Sequence, residues 1–541
     1  MSATVSSRDK ADRIRQYEAI ETGYHAVRWN EPVLYEMSRQ GSENQLVSEA
    51  EPELKAEVGD VLSSIPEGMR RTSLPAMPEV SEPEVMRHYL RLSQQTFGYD
   101  TGVSIGLGTC TMKYSPKVND QLARRPELNE LHPLQPESTI QGILALMYEL
   151  RSWFCEIAGM DEFSFQPRGG SHGVYANACI IRAYHRSRGD FKRNEIITCS
   201  VSHPCNAGCP SAAGFKVIEL HPDKVSGNIG IHQLRAAVSE HTAGLMITLP
   251  YDTGVFDSEV ANYVEVVHKA GGLVALDQAN FNGVMTRLRA GDVGADLMHF
   301  NLHKTFSTPH GSYGPASGAI GAKKELRRFM PVPLVKFDGQ TYGWDYDLPE
   351  SIGKIGSFHG VLMNPVKAYA WLMSMGYEGI RQAAEWAVIN NNYLIKKLLE
   401  VRGVGIAWPN RAKLQEARFT LQQMKDETGI GSSDVDRRIP DFGLQTFFTS
   451  HEPMIISEPV TVESAESVSR EDLDLFVETF RRISEEAYSN PEIVLTAPHR
   501  CAVHQIDPGP IQNVNRVIGT WRAHIKEQGG SAESLPGASG Q

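Results

Sequence analysis

Four stretches of the chain carry residue types that could do chemistry together. In "LMHFNLHKTFSTPHG" an apolar run ends on His303 and Lys304 and passes at once into Ser, Thr, Pro and Gly. Taken alone, such a lysine reads first as a solvated surface residue. Held in a pocket, its amine can form a Schiff base with an aldehyde. "LVALDQANFNG" is a second apolar run, and it ends on Asp277, where a carboxylate is costly unless it is paired. Asp277 reads equally as the cap of the following turn and as the group that holds a proton on a ring nitrogen. "QPRGGSHG" places Gly169, Gly170, Ser171 and His172 at the start of a helix that continues from Val174. There the backbone can approach an anion and the free N–H groups of the first turn point at it, although such a turn is usually only a turn. In "CSVSHPCNAGCPSAAG" His203 lies just beyond a strand, where an imidazole could stack on a flat cofactor. The neighbouring Cys199, Cys205 and Cys209 match no usual zinc spacing and read as free thiols, so no metal is expected.

Each signal is weak alone. Together, an anion cup, a ring-face imidazole, a carboxylate for a pyridinium nitrogen and an amine for an aldehyde describe one cofactor, pyridoxal 5'-phosphate (PLP).

These residues need elements that bring them to one edge. Short apolar runs at "EIITCS", "FKVIEL", "GLMITLP", "GLVALD" and "LMHFN" alternate with helical patterns at "TIQGILALMYELRSWFCEIAG", "VYANACIIRAYHRSR" and "SEVANYVEVVHKAG". That alternation predicts an α/β domain with a largely parallel sheet, whose ligands bind at the carboxyl ends of the strands. The expected organisation is an N-terminal helix and extended arm over 1–134, a PLP-binding large domain over 135–340, a smaller α+β domain over 341–520 and a disordered tail over 521–541. The small domain is expected to hold helices at "NPVKAYAWLMSMG" and "IRQAAEWAVINNNYLIKKLLEV" and strands at "RFTLQQ" and "PMIISEPV".

Bulk properties exclude several classes. A chain of 541 residues predicts more than one domain, and 41% hydrophobic with 22% charged residues is ordinary for a soluble protein. A net charge of −12 argues against nucleic acid or an anionic membrane as partner. No run approaches the length of a membrane span, the N-terminus lacks the apolar core of a secretory signal, and seven Cys fit a reducing compartment. The cytoplasm is the expectation.

Long segments, among them "EPVLYEMSRQG", "GLGTCTMKYSPKVN", "HPLQPESTIQGILALMYELRSWFCEIAGMD", "FNLHKTFSTPHG" and "SNPEIVLTAPH", resemble glycine decarboxylase, the P-protein of the glycine cleavage system. Among these proteins the resemblance is strongest to subunit 2 of the two-subunit form, glycine dehydrogenase (decarboxylating). It implies the aspartate-aminotransferase-like fold type I, with Lys304 as the Schiff-base lysine, Asp277 at the pyridine nitrogen and His203 on the ring. It also implies Gly170, Ser171 and His172 at the phosphate, with His303 beside the cofactor. The implied reaction is decarboxylation of glycine with aminomethyl transfer to a lipoyl H-protein, and the implied assembly is a homo- or hetero-oligomer with a subunit 1-like chain. The chain departs from the family pattern at Val174, Gln278, Ser312, Tyr313 and Val361, and the small domain places Ala417 and Arg418 in a family motif. Arg418 reads as a surface arginine, with a substrate-carboxylate clamp as the other reading. The alternatives to the implied activity are a PLP enzyme acting on another amino acid without lipoyl protein, and a non-catalytic partner subunit.

Overall fold

The computed structural model describes residues 31–42, 49–71, 77–96, 102, 105, 113–309, 316–450, 454–501, 504–506 and 509. The helix expected over residues 1–27, the departures at Ser312 and Tyr313 and the tail over 521–541 lie outside them.

The short apolar runs become strands: β1 (Glu162–Ser164), β2 (Glu195–Cys199), β3 (Lys216–Leu220), β4 (Thr242–Thr248), β5 (Leu273–Asp277), β6 (Leu297–Asn301) and β7 (Gly318–Ala322). They form a seven-stranded sheet in the order β1-β7-β6-β5-β4-β2-β3. Neighbours from β3 through β6 run parallel, and β7 runs antiparallel to both β1 and β6. Helices Gly170–Ser187 and Val260–Lys269 are among the crossovers that parallel pairing demands.

Every residue of β4, β5 and β6 is buried, as in a sheet covered on both faces. The two-residue period divides them between two apolar layers. Leu245, Ile247, Val274, Leu276, Met298 and Phe300 pack on one side with Phe154 of helix Gln141–Ala158 and Phe163 of β1. Met246, Ala275 and Leu297 pack on the other with Val174, Ile181 and Ile320. At about 1.5–3 kcal/mol for each large aliphatic or aromatic side chain buried, these layers hold the strand ends in place.

A hairpin, β8 (Leu334–Phe337) with β9 (Tyr342–Asp345), precedes the C-terminal part of the chain. There β10 (Gly405–Ile406), β11 (Glu416–Thr420) and β12 (Pro459–Glu463) form a three-stranded antiparallel sheet. The strand expected from Met454 starts only at Pro459, and Met454 stands in solvent. The two expected helices are one run, Met363–Leu398, broken at Gly376, whose φ of 60° suits glycine. Ala417, Phe419, Val460 and Val462 face a core with Leu394, Phe476 and Phe480. By alternation, Glu416, Arg418, Thr461 and Glu463 occupy the opposite face.

The described parts of residues 1–98 and 497–541 form one compact unit and residues 99–496 another. In the first, Glu31 meets His88 at 3.0 Å and Arg91 at 3.4 Å on helix Glu82–Gln94. The second contains all three sheets. No described helix is long and apolar enough to cross a membrane.

Candidate active site

The site gathers at the carboxyl ends of β2, β4, β5 and β6. Register alone flanks Asp277, the last residue of β5, with Thr248 of β4 and His299 of β6. The Asp277 carboxylate is almost wholly buried and every approach to it is polar. Asn206 Nδ2 donates to Oδ2 at 2.7 Å, Thr248 Oγ1 donates to the same oxygen at 3.0 Å, and the Ala279 N–H donates to Oδ1 at 3.0 Å. His299 Nε2 lies 3.2 Å from Oδ1. Burial pushes this carboxyl up. The His299 and His203 imidazoles, the Ala279 amide and Asn206 outweigh it and hold the pKa at about 2. Asp277 therefore does cap its turn, through Oδ1, while the side chain as a whole is a fixed anion. His299 itself is held below the usual imidazole range by burial and by the Lys304 charge, against the pull of Asp277.

His203 is tied to the same network. Its N–H donates to Thr248 Oγ1 at 2.9 Å and its Nδ1 accepts the Cys205 N–H at 3.1 Å, which puts the proton of the neutral ring on Nε2. Asn206, three residues on, carries the loop down to Asp277. The thiols are structural in character: Cys199 contacts Ser202 Oγ, and burial pushes its pKa up to about 12. Cys209 donates to the Ser171 carbonyl at 3.2 Å, and burial raises it to about 11. Among the described residues no three His, Cys, Asp or Glu side chains gather as metal ligands, and no described cysteine is in a disulfide.

Lys304 follows β6 by three residues in a turn closed by its own N–H to the Asn301 carbonyl at 3.1 Å. It is buried, contrary to the surface reading of such a lysine. Its charge acts on His299 of β6, on Cys205 after β2 and on Glu416 and Glu463 of β11 and β12. His303 is buried beside it, with Nδ1 accepting the Ser317 N–H at 3.2 Å.

The glycines before helix Gly170–Ser187 have a steric reason. A Cβ on Gly170 would stand 2.8 Å from Asn301 Nδ2, and one on Gly173 would stand 3.3 Å from His299 Cβ. Gly169 at φ 147° turns the chain into the helix. Ser171 is exposed at this start, and His172 Nδ1 accepts the Arg168 N–H at 3.2 Å. The helix start thus lies against Asn301 and His299 of β6.

The departures separate. Val174 belongs to the apolar layer and Ala417 to the small-domain core. Val361 is half-buried, its carbonyl accepting the Asn364 N–H at 3.0 Å. Gln278 is fully buried, and neither atom of its amide has a partner among the described residues. Arg418 corrects the surface reading. It is 1% exposed, because alternation along β11 turns it inward, and it meets Asp252 Oδ2 at 3.1 Å and Thr461 Oγ1 at 3.1 Å. Engaged in this way, it is not free to clamp a substrate carboxylate.

Sequence reasoning passed over Thr248, Asn206, His299, Lys113, Asn280, Glu416 and Glu463. Asn206 and Thr248 had a local signal, polar residues at a helix start and a strand end. Lys113 lay in the quoted "GTCTMKYSP" but had no visible partner. The others needed the packing of the two sheets.

A family model described as "Glycine dehydrogenase, C-terminal domain" matches residues 383–497. The probable glycine dehydrogenase (decarboxylating) subunit 2 of Pyrococcus horikoshii is 44% identical over 510 residues, covering 94% of this chain and 99% of the relative. That of Caldanaerobacter subterraneus is 42% identical over 88% of this chain and 96% of its own length. The chain belongs to the glycine dehydrogenase (decarboxylating) subunit 2 family.

Solved structures share the fold. A glycine decarboxylase (P-protein) of the glycine cleavage system, in inhibitor-bound form, superposes with a TM-score of 0.68 at 20% identity, covering 81% of this chain and 100% of that one. The cysteine desulfurase CsdA of Escherichia coli superposes with a TM-score of 0.55 at 16% identity, covering 72% and 95%. The fold is the PLP-dependent fold type I, as the sequence resemblance implies.

Proposed function

We propose that this subunit 2 family member decarboxylates glycine with PLP and passes the aminomethyl group to a lipoyl H-protein, working with a subunit 1-like chain. Identity of 44% across 94% of the chain supports the reaction. The buried, four-contact Asp277 anion at the end of β5 is the feature of the site that carries the reading.

The residues present fit PLP. A cofactor phosphate needs N–H donors, which the helix start at Gly170, Ser171 and His172 supplies, with Gly170 letting the helix approach Asn301 at the end of β6. A pyridinium nitrogen needs a permanent anion, and Asp277 stays ionised at any physiological pH. An aldehyde needs a sheltered amine, and Lys304 is buried. His203 has its ring anchored through Nδ1 for the cofactor face, and His303, next to Lys304 in sequence, is fixed by Ser317. Bound there, PLP supplies an electron sink for the pair released when a Cα–carboxylate bond breaks. The protein's part is to hold the proton on the ring nitrogen, to shelter the reacting carboxylate from water and to orient its bond across the ring plane.

Two measurements test this. Borohydride reduction of the PLP-loaded protein is expected to label Lys304, and Lys304→Ala is expected to fold and retain no covalent cofactor. Label on another lysine contradicts the assignment. Exchange of labelled bicarbonate into glycine is expected with H-protein and the subunit 1-like chain present. Failure of exchange with both partners, while another amino acid turns over, replaces glycine as substrate.

A further inference from the structure

The polar face of β11–β12 contains a group that the reading above leaves unused. Glu416 and Glu463 are direct cross-strand partners and both are buried. One nitrogen, Asn280 Nδ2, reaches Glu463 Oε2 at 3.0 Å and Glu416 Oε2 at 3.4 Å. Glu463 Oε1 has no hydrogen-bond partner among the described residues, and neither has Oδ1 of the buried Asn280. Lys304 is the strongest charge acting on Glu463.

We propose that Glu463, coupled to Glu416 through Asn280, is the proton acceptor of the site, its Oε1 taking the proton that an incoming substrate ammonium must lose to become a nucleophile. The inference rests on the PLP reading of Lys304 and on an amino acid as substrate.

Two buried carboxylates this close do not both ionise, and the first proton lost from the pair leaves one negative charge beside one remaining proton. Burial pushes both carboxyls up, and the like charge of Glu463 pushes Glu416 further. The remaining charges facing the pair are Lys304 after β6, Lys113 and Glu466, Asp252 after β4, and Arg418 on β11. Lys113 is already compensated, with Nζ 2.7 Å from Glu466 Oε1 and 3.1 Å from Asn282 Oδ1. Arg418 is engaged by Asp252. Asp277 is too weak a base, with its lone pairs occupied. Glu463 Oε1 is the open acceptor. In the transfer an N–H bond of the ammonium breaks, an O–H bond forms on Oε1, and no electrons change hands. A cation and an anion become a neutral amine and a neutral acid pair, the direction a buried site favours.

The test has two arms. Infrared spectra of the cofactor-free full chain at pH 7 are expected to show a protonated carboxyl C=O band that Glu463→Gln and Glu416→Gln each diminish and the double variant removes, because burial raises both carboxyls. A band absent from the wild type, or untouched by both substitutions, overturns the proposal. In the second arm, glycine is mixed with PLP-loaded protein and the cofactor's absorbance change is timed from pH 6 to 9. Glu463→Gln is expected to slow the reaction on the order of a hundredfold at neutral pH, with recovery at high pH as the free amine accumulates. An unchanged pH profile in Glu463→Gln overturns the proton-acceptor role while leaving the PLP reading standing. Wild-type protein that shows the band but reacts with no amino acid overturns the PLP reading and the proposal with it.

Discussion

At the scale of single residues, Asp277 shows how a costly charge is kept. Its two oxygens take three hydrogen bonds and one imidazole contact, and the result is an acid held at about 2 instead of one raised by burial. Asp277→Asn preserves shape and removes the charge. It is expected to bind PLP while losing turnover on the order of a hundredfold or more, because an amide cannot hold the ring nitrogen protonated. Single-turnover rates check this, and near wild-type rates would reduce Asp277 to a turn cap. Glu463 has the opposite sign. Its folded-state pKa is raised by burial, so its contribution to stability is fully present below the ordinary carboxylate value of about 4.3 and is lost as pH rises through the raised value. Glu463→Gln is therefore expected to raise the Tm of cofactor-free protein at pH 8.5 relative to wild type, and to have a smaller effect at pH 4.5. Parallel melting curves at the two pH values check this.

At the scale of elements, two devices position these residues. The first is the start of helix Gly170–Ser187, which lies so close to the end of β6 that Asn301 occupies the space of a Cβ on Gly170. Gly170→Ala is expected to cost about 1–3 kcal/mol of stability by overpacking and to weaken PLP binding at least tenfold. Denaturant unfolding and cofactor titration measure the two effects separately. The second device is the alternation along β11, which sends Ala417 and Phe419 into the small-domain core and Glu416 and Arg418 toward the site. Truncating Arg418 leaves Asp252 buried without its cation, so Arg418→Leu is expected to destabilise by about 3–5 kcal/mol, read from the midpoint of unfolding.

At the scale of the whole molecule, the arm ahead of helix Glu82–Gln94 exposes apolar side chains: Leu54 at 51%, Leu62 at 73%, Met69 at 78% and Met77 at 65%. A run of such residues on a short, helix-poor segment marks a surface built to be covered. The 59.9 kDa chain is expected to assemble, with itself or with a subunit 1-like chain, and light scattering with and without that partner checks the mass. A 59.9 kDa monomer that binds PLP tightly contradicts the expectation.

The sequence by itself determined the α/β class, five strands of the large sheet and the fold family, because these follow from local periodicity and from long shared segments. The apolar runs at 195–199, 216–220, 242–248, 273–277 and 297–301 are all strands, with the loops of His203, Asp277 and Lys304 at their carboxyl ends. Locally, Lys304 read first as a solvated surface residue and Arg418 as a surface arginine. Tertiary structure buries both, since exposure depends on which sheet closes over a strand end. Tertiary structure alone decided that Asn206, Thr248 and His299 surround Asp277, and that Glu416 and Glu463 share Asn280. The physical reason is distance along the chain: Asn280 and Glu463 are 183 residues apart, and no periodicity spans such a gap. Only the docking of the loops after β4 and β5 against β11–β12 creates the buried space in which a carboxylate pair keeps a proton.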